Sequence, residues 1–163
     1  PVILTARFLG HLTSHGFLMY PGAKLKKSAQ ETDIDICAIG DESLIAGECK
    51  DLIDFKEDGK ILWGEILSKL TLPIEVAKAC RFRVFFVASL IDRYPNSFQS
   101  KVKKIAGDSL KILFLTRKDL ESGRRKYIDK EGHECTLNLH DILNPPKPFR
   151  IPKDKRKTRT IGL

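Results

Sequence analysis

The chain has 163 residues, of which 42% are hydrophobic and 31% charged. This fits one domain with a buried core and excludes a chain disordered throughout, a collagen-like repeat and a coiled coil. No apolar stretch approaches the roughly 18 residues that span a bilayer, and the first run is too short and interrupted for a signal peptide. We therefore expect a soluble globular protein away from membranes. Because the chain starts at Pro1 rather than Met, we also expect one module of a longer protein.

Cysteine usage and charge distribution suggest a location and a class of partner. The four cysteines lie far apart with no Cys-x-x-Cys pair, which suits a reducing, cytoplasmic setting. The net charge of +8 is concentrated in residues 144–163, which hold seven Lys or Arg, one acid and four of the eight prolines. Such a segment is predicted to be an extended basic tail. Basic ends on a near-neutral body favour a polyanionic partner, although a merely solvated tail explains the charge equally well.

In the first half of the chain, a helical pattern of apolar residues precedes three β-type segments. The predicted elements are a helix over Val2–Ser14, a strand over Phe17–Lys27 bent at Pro21-Gly22, and strands over Ile34–Ile39 and Leu44–Cys49. The last two are joined by the residues GDES, which is typical of a hairpin. A charged loop over Asp51–Lys60 follows.

In the second half, helices alternate with strands that are apolar throughout, as strands buried on both faces are. The predicted elements are a helix over Leu62–Leu70, a second helical piece from Pro73 to about Cys80, a strand over Arg83–Ser89, a helix over Ser97–Ala106, a strand over Leu110–Leu115, a capping-box variant at Thr116 and Asp119, and a hairpin over Arg125–Leu139 turning at Lys130-Glu131-Gly132. This order predicts an α/β domain with a mixed sheet. We assign residues 1–122 to this core, 123–143 to an accessory β-hairpin and 144–163 to the tail.

The stretch ETDIDICAIGDESLIAGECK carries the candidate site. A two-residue turn on the Asp and Glu of GDES places Asp35 opposite Glu48, and Asp33 opposite Lys50. Side chains alternate along a strand, so these four share one face of the sheet. Directly opposed Cβ atoms lie about 4.5–5.5 Å apart. The register therefore predicts two carboxylates and a lysine in one pocket.

Such a pocket suits a divalent metal and phosphate chemistry. Two carboxylates this close repel each other unless a cation or a proton lies between them. Hard oxygen ligands suit Mg²⁺ or Mn²⁺, and the backbone carbonyl of Cys49 offers a further oxygen. Lys50 is placed to orient or help deprotonate a water at that ion and to stabilise charge on a phosphate. The pattern therefore favours phosphodiester hydrolysis, with a structural salt-bridge cluster as the alternative.

The pattern D-I-D-I-x9-A-G-E-C-K resembles the PD-(D/E)XK nuclease superfamily, particularly its Mrr-like restriction-endonuclease branch, over about Val2–Leu120. The resemblance implies a restriction-endonuclease-like three-layer α/β fold, with a central mixed sheet flanked by helices. It also implies a divalent-metal-dependent DNA endonuclease of restriction or DNA-processing type. In such a site Asp35 and Glu48 bind the metal, Lys50 is the catalytic lysine and Asp33 is a supporting acid.

One departure from the family pattern leaves the activity open. Many members carry an acid on the first helix, near the position of Thr5 or Ala6 here, yet no acid precedes Glu31. Either two acids suffice, or Glu65 substitutes, or the first helix extends upstream of Pro1. The alternative function is a catalytically inactive DNA- or protein-binding module with the same fold. A third interpretation is an unrelated α/β protein with a salt-bridged acidic hairpin.

Several cations are candidates for binding the DNA backbone without reading sequence. They are Lys24, Lys26, Lys27, Lys153, Lys155, Arg156 and Lys157. Three lysines of the predicted third helix are expected to form a solvated face, with phosphate contact as the alternative: Lys101, Lys103 and Lys104.

Cutting both strands needs two sites, so we expect a homodimer or further domains of a longer chain. A zinc site is disfavoured, because the spacing of its only candidates fits no standard site: His133, Cys135 and His140.

Overall fold

A five-stranded mixed sheet forms the centre of the protein in the computed structural model, which describes residues 1–27, 30–128 and 132–144. In chain order the elements are α1 (Val2–Leu12), β1 (Phe17–Lys27), β2 (Gln30–Gly40), β3 (Ser43–Cys49), a 3₁₀ helix (Leu52–Phe55), β4 (Lys56–Glu57), β5 (Lys60–Ile61), α2 (Trp63–Ala79), β6 (Val84–Ala88), α3 (Asn96–Ala106), β7 (Lys111–Leu115), α4 (Arg117–Ser122), β8 (Lys126–Ile128), β9 (Glu134–Thr136) and α5 (Leu139–Leu143). The sheet order is β1-β2-β3-β6-β7. Strands β1 to β3 are antiparallel, and β6 and β7 continue the sheet parallel to β3.

Helices cover both faces of this sheet. Phe8 and Leu9 of α1 pack on one face, in a cluster shared with Leu120 of α4 and Leu139 of α5. The second cluster joins the other face to α2 and α3. All five residues of β6 are buried, as expected for a central strand covered on both faces. The predicted α/β class, mixed sheet and flanking helices are therefore confirmed as a three-layer arrangement.

The hairpin between β2 and β3 turns on the two predicted residues. Asp41 and Glu42 both have positive φ, 46° and 60°, as a type I′ turn requires. The Asp41 carboxylate also accepts backbone hydrogen bonds from Ser14 and His15, at 2.9 and 2.7 Å, just beyond the end of α1. Burial opposes ionisation, but these bonds outweigh it and hold the pKa of Asp41 below its usual value. The turn is thus fixed to the first helix.

Three local features differ from the sequence prediction. The two helical pieces expected around Pro73 form one helix, α2, because residues such as Leu70 and Ile74 bury its apolar face on both sides of the proline. The loop predicted at 51–60 contains the 3₁₀ helix and the small β4–β5 hairpin. The predicted late hairpin is confirmed as β8–β9, and α5 follows it unpredicted.

Some predictions concern residues outside the described ranges. These are part of the turn at Lys130-Glu131, the side chain of Lys27, and the basic tail with Lys153, Lys155, Arg156 and Lys157. All four cysteines are free thiols. Within the described ranges, no helix has the length and apolar character needed to cross a membrane.

Candidate active site

The hairpin strands separate where the acidic residues begin. The ladder between β2 and β3 runs from Gly40–Ser43 to Ile36–Gly47 and stops. Beyond it, Oδ2 of Asp35 accepts a 2.7 Å hydrogen bond from the backbone N–H of Cys49, replacing the ladder bond. The N–H and C=O of an extended residue point to the same neighbouring strand, so the Cys49 carbonyl also faces this gap. The structure therefore places one carboxylate and one backbone carbonyl at the opening between the strands.

Glu48 is a buried carboxylate at the end of β3, only 3% exposed. Its Oε2 accepts a hydrogen bond from Nζ of Lys50 in a close ion pair. Its Oε1 is buried without a hydrogen-bond partner among the described residues. Burial raises the pKa of Glu48 to about 7; the ion pair with Lys50 opposes this rise, and the neighbouring Asp35 carboxylate adds to it. The site thus holds a carboxylate with one oxygen that no group in the described ranges satisfies.

Lys50 connects these carboxylates to an open cleft. Its backbone N–H donates to the carbonyl of Ala88 at 2.8 Å, which fixes the residue just beyond β3. Its side chain is 18% exposed and lines a cleft of about 460 Å³ at the carboxyl ends of β3, β6 and β7. Ser89 and Arg117, which follow β6 and β7, line the same cleft. A substrate in this cleft would therefore meet the ammonium group of Lys50.

Asp33 lies away from this pocket. We expected it opposite Lys50, and that pairing is wrong, because the β2–β3 ladder ends at Ile36 and β3 ends at Cys49. Asp33 instead lies opposite Lys24 of β1, with 4.0 Å between Oδ1 and Nζ and a side chain 78% exposed. The structure thus places the proposed supporting acid on the surface of the sheet edge.

No third acid joins Asp35 and Glu48 within the described part of the chain. There, no group of three or more His, Cys, Asp or Glu side chains is placed to hold a metal ion. Glu65, the expected substitute for a first-helix acid, is exposed in the first turn of α2. Among the described residues, the disfavoured zinc candidates His133, Cys135 and His140 also form no such metal-binding group.

The first helix presents a hydroxyl where the family resemblance implies an acid. Thr5 is fully buried, and its Oγ1 donates to the carbonyl of Pro1 at 3.0 Å. The same oxygen accepts a 3.5 Å hydrogen bond from Sγ of Cys49. Burial raises the pKa of the Cys49 thiol to about 11, so it remains protonated at neutral pH and is a poor nucleophile. Thr5 therefore joins the first helix to β3 without adding a negative charge.

Sequence reasoning missed the cations at the rim of the cleft. The guanidinium of Arg117 donates to the carbonyl of Leu90 at 2.9 Å and lies 3.8 Å from Oδ1 of Asp92. Lys56, which falls in the charged loop predicted over Asp51–Lys60, also lines the cleft. The position of these cations in the sequence could have indicated them, because ligand sites in open α/β sheets lie beyond the carboxyl ends of the strands.

The residues present suit a small dication. Mg²⁺ commonly binds through one or two carboxylates and completes its shell with water and substrate phosphate. Asp35, Glu48 and the carbonyl of Cys49 form such an oxygen-only set beside an open cleft. Oε1 of Glu48, which has no partner among the residues that the structure describes, is the atom of this set that a proton or a cation would satisfy.

The comparisons with known proteins bear on the fold alone. No family model matches the sequence, and no curated protein matches it significantly. Among solved structures, the chain resembles the crystal structure of a protein of unknown function, AF1548. The TM-score is 0.51 at 18% identity, covering 80% of this chain and 71% of that one. This likeness supports the three-layer α/β architecture and assigns no activity.

Proposed function

We propose that this protein is a divalent-metal-dependent DNA endonuclease of the PD-(D/E)XK type. The main support is the buried Glu48. One of its oxygens has no partner in the described part of the chain, and the other is bound to Lys50 at the wall of a cleft. Asp35 supplies the second carboxylate from the neighbouring strand. The order of elements and the separation of the hairpin strands at the acidic residues are consistent with this proposal.

Each residue of the site has a chemical role in this proposal. Asp35, Glu48 and the Cys49 carbonyl would hold one Mg²⁺ or Mn²⁺ ion, which when bound supplies Lewis-acid stabilisation of phosphate charge. Lys50, held by Glu48, orients a water for in-line attack on phosphorus and offsets negative charge as the oxygen–phosphorus bond forms. As the water oxygen bonds to phosphorus, its proton passes to solvent in the open cleft; the bond from phosphorus to the leaving sugar oxygen breaks, and that oxygen takes up a proton from solvent. Arg117 at the rim is placed to bind a neighbouring phosphate.

The proposed function also implies a partner, a source for the second active site and a cellular location. DNA is the partner, and a second copy or a further domain supplies the second site for double-strand cleavage. A cytoplasmic location suits the four free thiols, because reducing compartments preserve them.

A plasmid-cleavage assay tests the assignment. Purified protein is incubated with supercoiled, branched and single-stranded DNA in Mg²⁺ or Mn²⁺. Lys50→Ala and Asp35→Asn are expected to reduce cleavage by about 100-fold or more, since both act on charge in the transition state. The exposed α2 residues Lys69 and Glu75 provide matched controls as Lys69→Ala and Glu75→Gln. Cleavage unchanged by Lys50→Ala would remove that lysine from the mechanism.

A non-catalytic module is the second candidate, and the neutral Thr5 on the first helix favours it. This candidate predicts salt-sensitive DNA binding without cleavage in any metal. Calorimetry with Mn²⁺ separates the two. The nuclease proposal requires heat of binding in the wild type and its loss in Asp35→Asn, whereas the inactive module shows neither.

A further inference from the structure

Two concave surfaces lie along the edge strand β7, and one of them adjoins the cleft. The first, about 300 Å³, shares Asp92 with the cleft and includes Thr116, the neighbour of Arg117. The second, about 630 Å³, shares Lys103 and Ile112 with the first. We call these two surfaces together the basic trough. Because the trough shares Asp92 with the cleft, the two surfaces adjoin each other.

Cations from three separate elements line the trough. They are Arg93 from the loop before α3, Lys103 and Lys104 from the last turn of α3, and Lys111 from the start of β7. All four are exposed. The acids lining the same surface are Asp92 and Asp108, and a fifth cation, Arg125, is bound by Asp119.

Local helix electrostatics account for only part of this charge. Lysines in the last turn of a helix interact favourably with its dipole, which explains Lys103 and Lys104. Neither Arg93 nor Lys111 lies at the carboxyl end of a helix, yet both line the same surface. Four exposed cations against two acids leave the trough with a net positive charge, and a concave surface of net positive charge attracts a polyanion more strongly than scattered charges do.

The lysines of β1 offer a weaker alternative. Lys24 lies 3.5 Å from Oε1 of Glu31 and 4.0 Å from Oδ1 of Asp33, so neighbouring acids offset its charge. That surface also lies at the opposite edge of the sheet from β7. Within the described residues, the exposed cations of the trough therefore lie beside the cleft, whereas the lysines of β1 do not.

We infer that the basic trough carries the phosphodiester backbone of the DNA on its way into or out of the cleft. This inference rests on the proposed nuclease function and adds the path of the substrate. Lysine and arginine contacts to phosphates give affinity and position without sequence preference. The trough is thus a backbone-binding surface, and the chemistry remains in the cleft.

The test is DNA binding measured without cleavage. A fluorescein-labelled 30-base-pair duplex is titrated with the full chain in EDTA, by anisotropy, between 50 and 200 mM NaCl. Lys111→Glu and the triple variant Lys103→Glu/Lys104→Glu/Lys111→Glu are compared with Lys69→Glu, which makes the same single charge reversal on the exposed face of α2. Circular dichroism confirms that each variant is folded.

The loss of DNA affinity is expected to grow with the number of lysines whose charge is reversed. Lys111→Glu weakens binding several-fold and the triple variant more than tenfold at 100 mM salt, with the slope of log affinity against log salt shallower by about two to three in the triple variant. Lys69→Glu changes affinity less than twofold. Equal affinities in all variants, or an equal loss in Lys69→Glu and Lys111→Glu, would overturn the inference. The proposed function is judged separately, by whether Lys50→Ala abolishes cleavage.

Discussion

Glu48 is held where an ionised carboxylate is unfavourable. It is buried, one oxygen has no partner in the described structure, and its neighbour Asp35 is another carboxylate. The ammonium of Lys50 lowers the cost of ionisation without removing it, because the pKa of Glu48 remains near 7. Strongly shifted groups of this kind cluster at functional sites, where stability is given up for chemistry.

A pH dependence of stability follows for the metal-free protein. The pKa of Glu48 is about 7 in the folded chain and 4.5 in the reference state, so the folded state retains a proton that the unfolded state has lost between these values. The free energy of unfolding therefore falls as pH rises from 4.5 to 7, by about 3 kcal/mol when complete. Glu48→Gln lacks this contribution.

Urea unfolding of the wild type and Glu48→Gln in EDTA, at pH 5 and pH 8, checks this prediction. The difference in unfolding free energy between the two proteins should move in favour of Gln as pH rises. Glu48→Gln also leaves Lys50 without its carboxylate partner, which lowers the unfolding free energy by an amount that does not change with pH. Comparing how the unfolding free energy of each protein changes with pH removes this constant difference. Parallel pH profiles would contradict the assignment of a raised pKa to Glu48.

At the residue scale, the sequence predicted the acidic pair and failed on its neighbour. The two-residue turn sets the register by counting, so Asp35 and Glu48 come together as predicted. The same counting put Asp33 beside Lys50, and this failed because the Asp35 carboxylate bonds to Cys49 N–H where the ladder ends. Hydrophobic alternation contains no signal for where a ladder stops.

At the element scale, the close approach of β3 and β6 positions the site. The two strands pair in parallel, with Gly47 beside Phe86 and Glu48 beside Val87. A Cβ atom added at Gly47 would overlap both the carbonyl oxygen and the ring of Phe86. Only glycine therefore lets β3 lie this close to β6 directly before the buried glutamate.

Gly47→Ala is expected to destabilise the fold by about 1–3 kcal/mol, the usual cost of forcing an extra methyl into a packed core. It should also reduce any metal-dependent activity, because Glu48 follows in the chain. Gly64→Ala is the matched control, since a methyl there meets nothing within 4 Å and alanine favours a helix. Thermal unfolding of both variants measures the difference. Equal stabilities would show that β3 can shift without cost.

Element types were easier to predict from the sequence than their continuity. The apolar strand Val84–Ala88 and the hairpin turn have strong local patterns, and both were predicted. Helix α2 was predicted as two pieces, because a proline interrupts the local pattern while burial of its apolar face is a tertiary effect. Helix α5 has only five residues, and one of them, Leu139, packs in the α1 cluster. Packing of this kind has no local signal.

At the scale of the whole molecule, the cleft lies where β3, β6 and β7 all end. The three strands run in the same direction, so their carboxyl ends bring Lys50, Ser89 and Arg117 to one rim. The buried carboxylate of Glu48 lies at the same end of β3. A ligand bound there would therefore contact several elements at once and stabilise the entire domain.

Mn²⁺ is expected to raise the thermal stability of the wild type. At 100 times the dissociation constant, a ligand specific for the folded state adds about 2.7 kcal/mol, or roughly 5–10 °C for a domain of this size. The shift should be larger at pH 8 than at pH 6, because the proton on Glu48 must leave before the ion binds. Differential scanning fluorimetry of the wild type and Asp35→Asn checks this. A shift of equal size in Asp35→Asn would place the ion elsewhere.

The chain distances within the site also bear on how the protein reaches its native state. Asp35 and Glu48 are brought together by a tight turn, whereas β3 meets β6 only after the chain has passed through α2, so that Glu48 pairs with Val87. Closing a longer loop costs more entropy, and folding rates fall as contacts become more distant along the chain. The contact between Asp35 and Glu48 is therefore expected to form at a lower entropic cost than the contact between β3 and β6. We expect the crossover through α2 to close later, and its completion gives Lys50 its backbone anchor on Ala88.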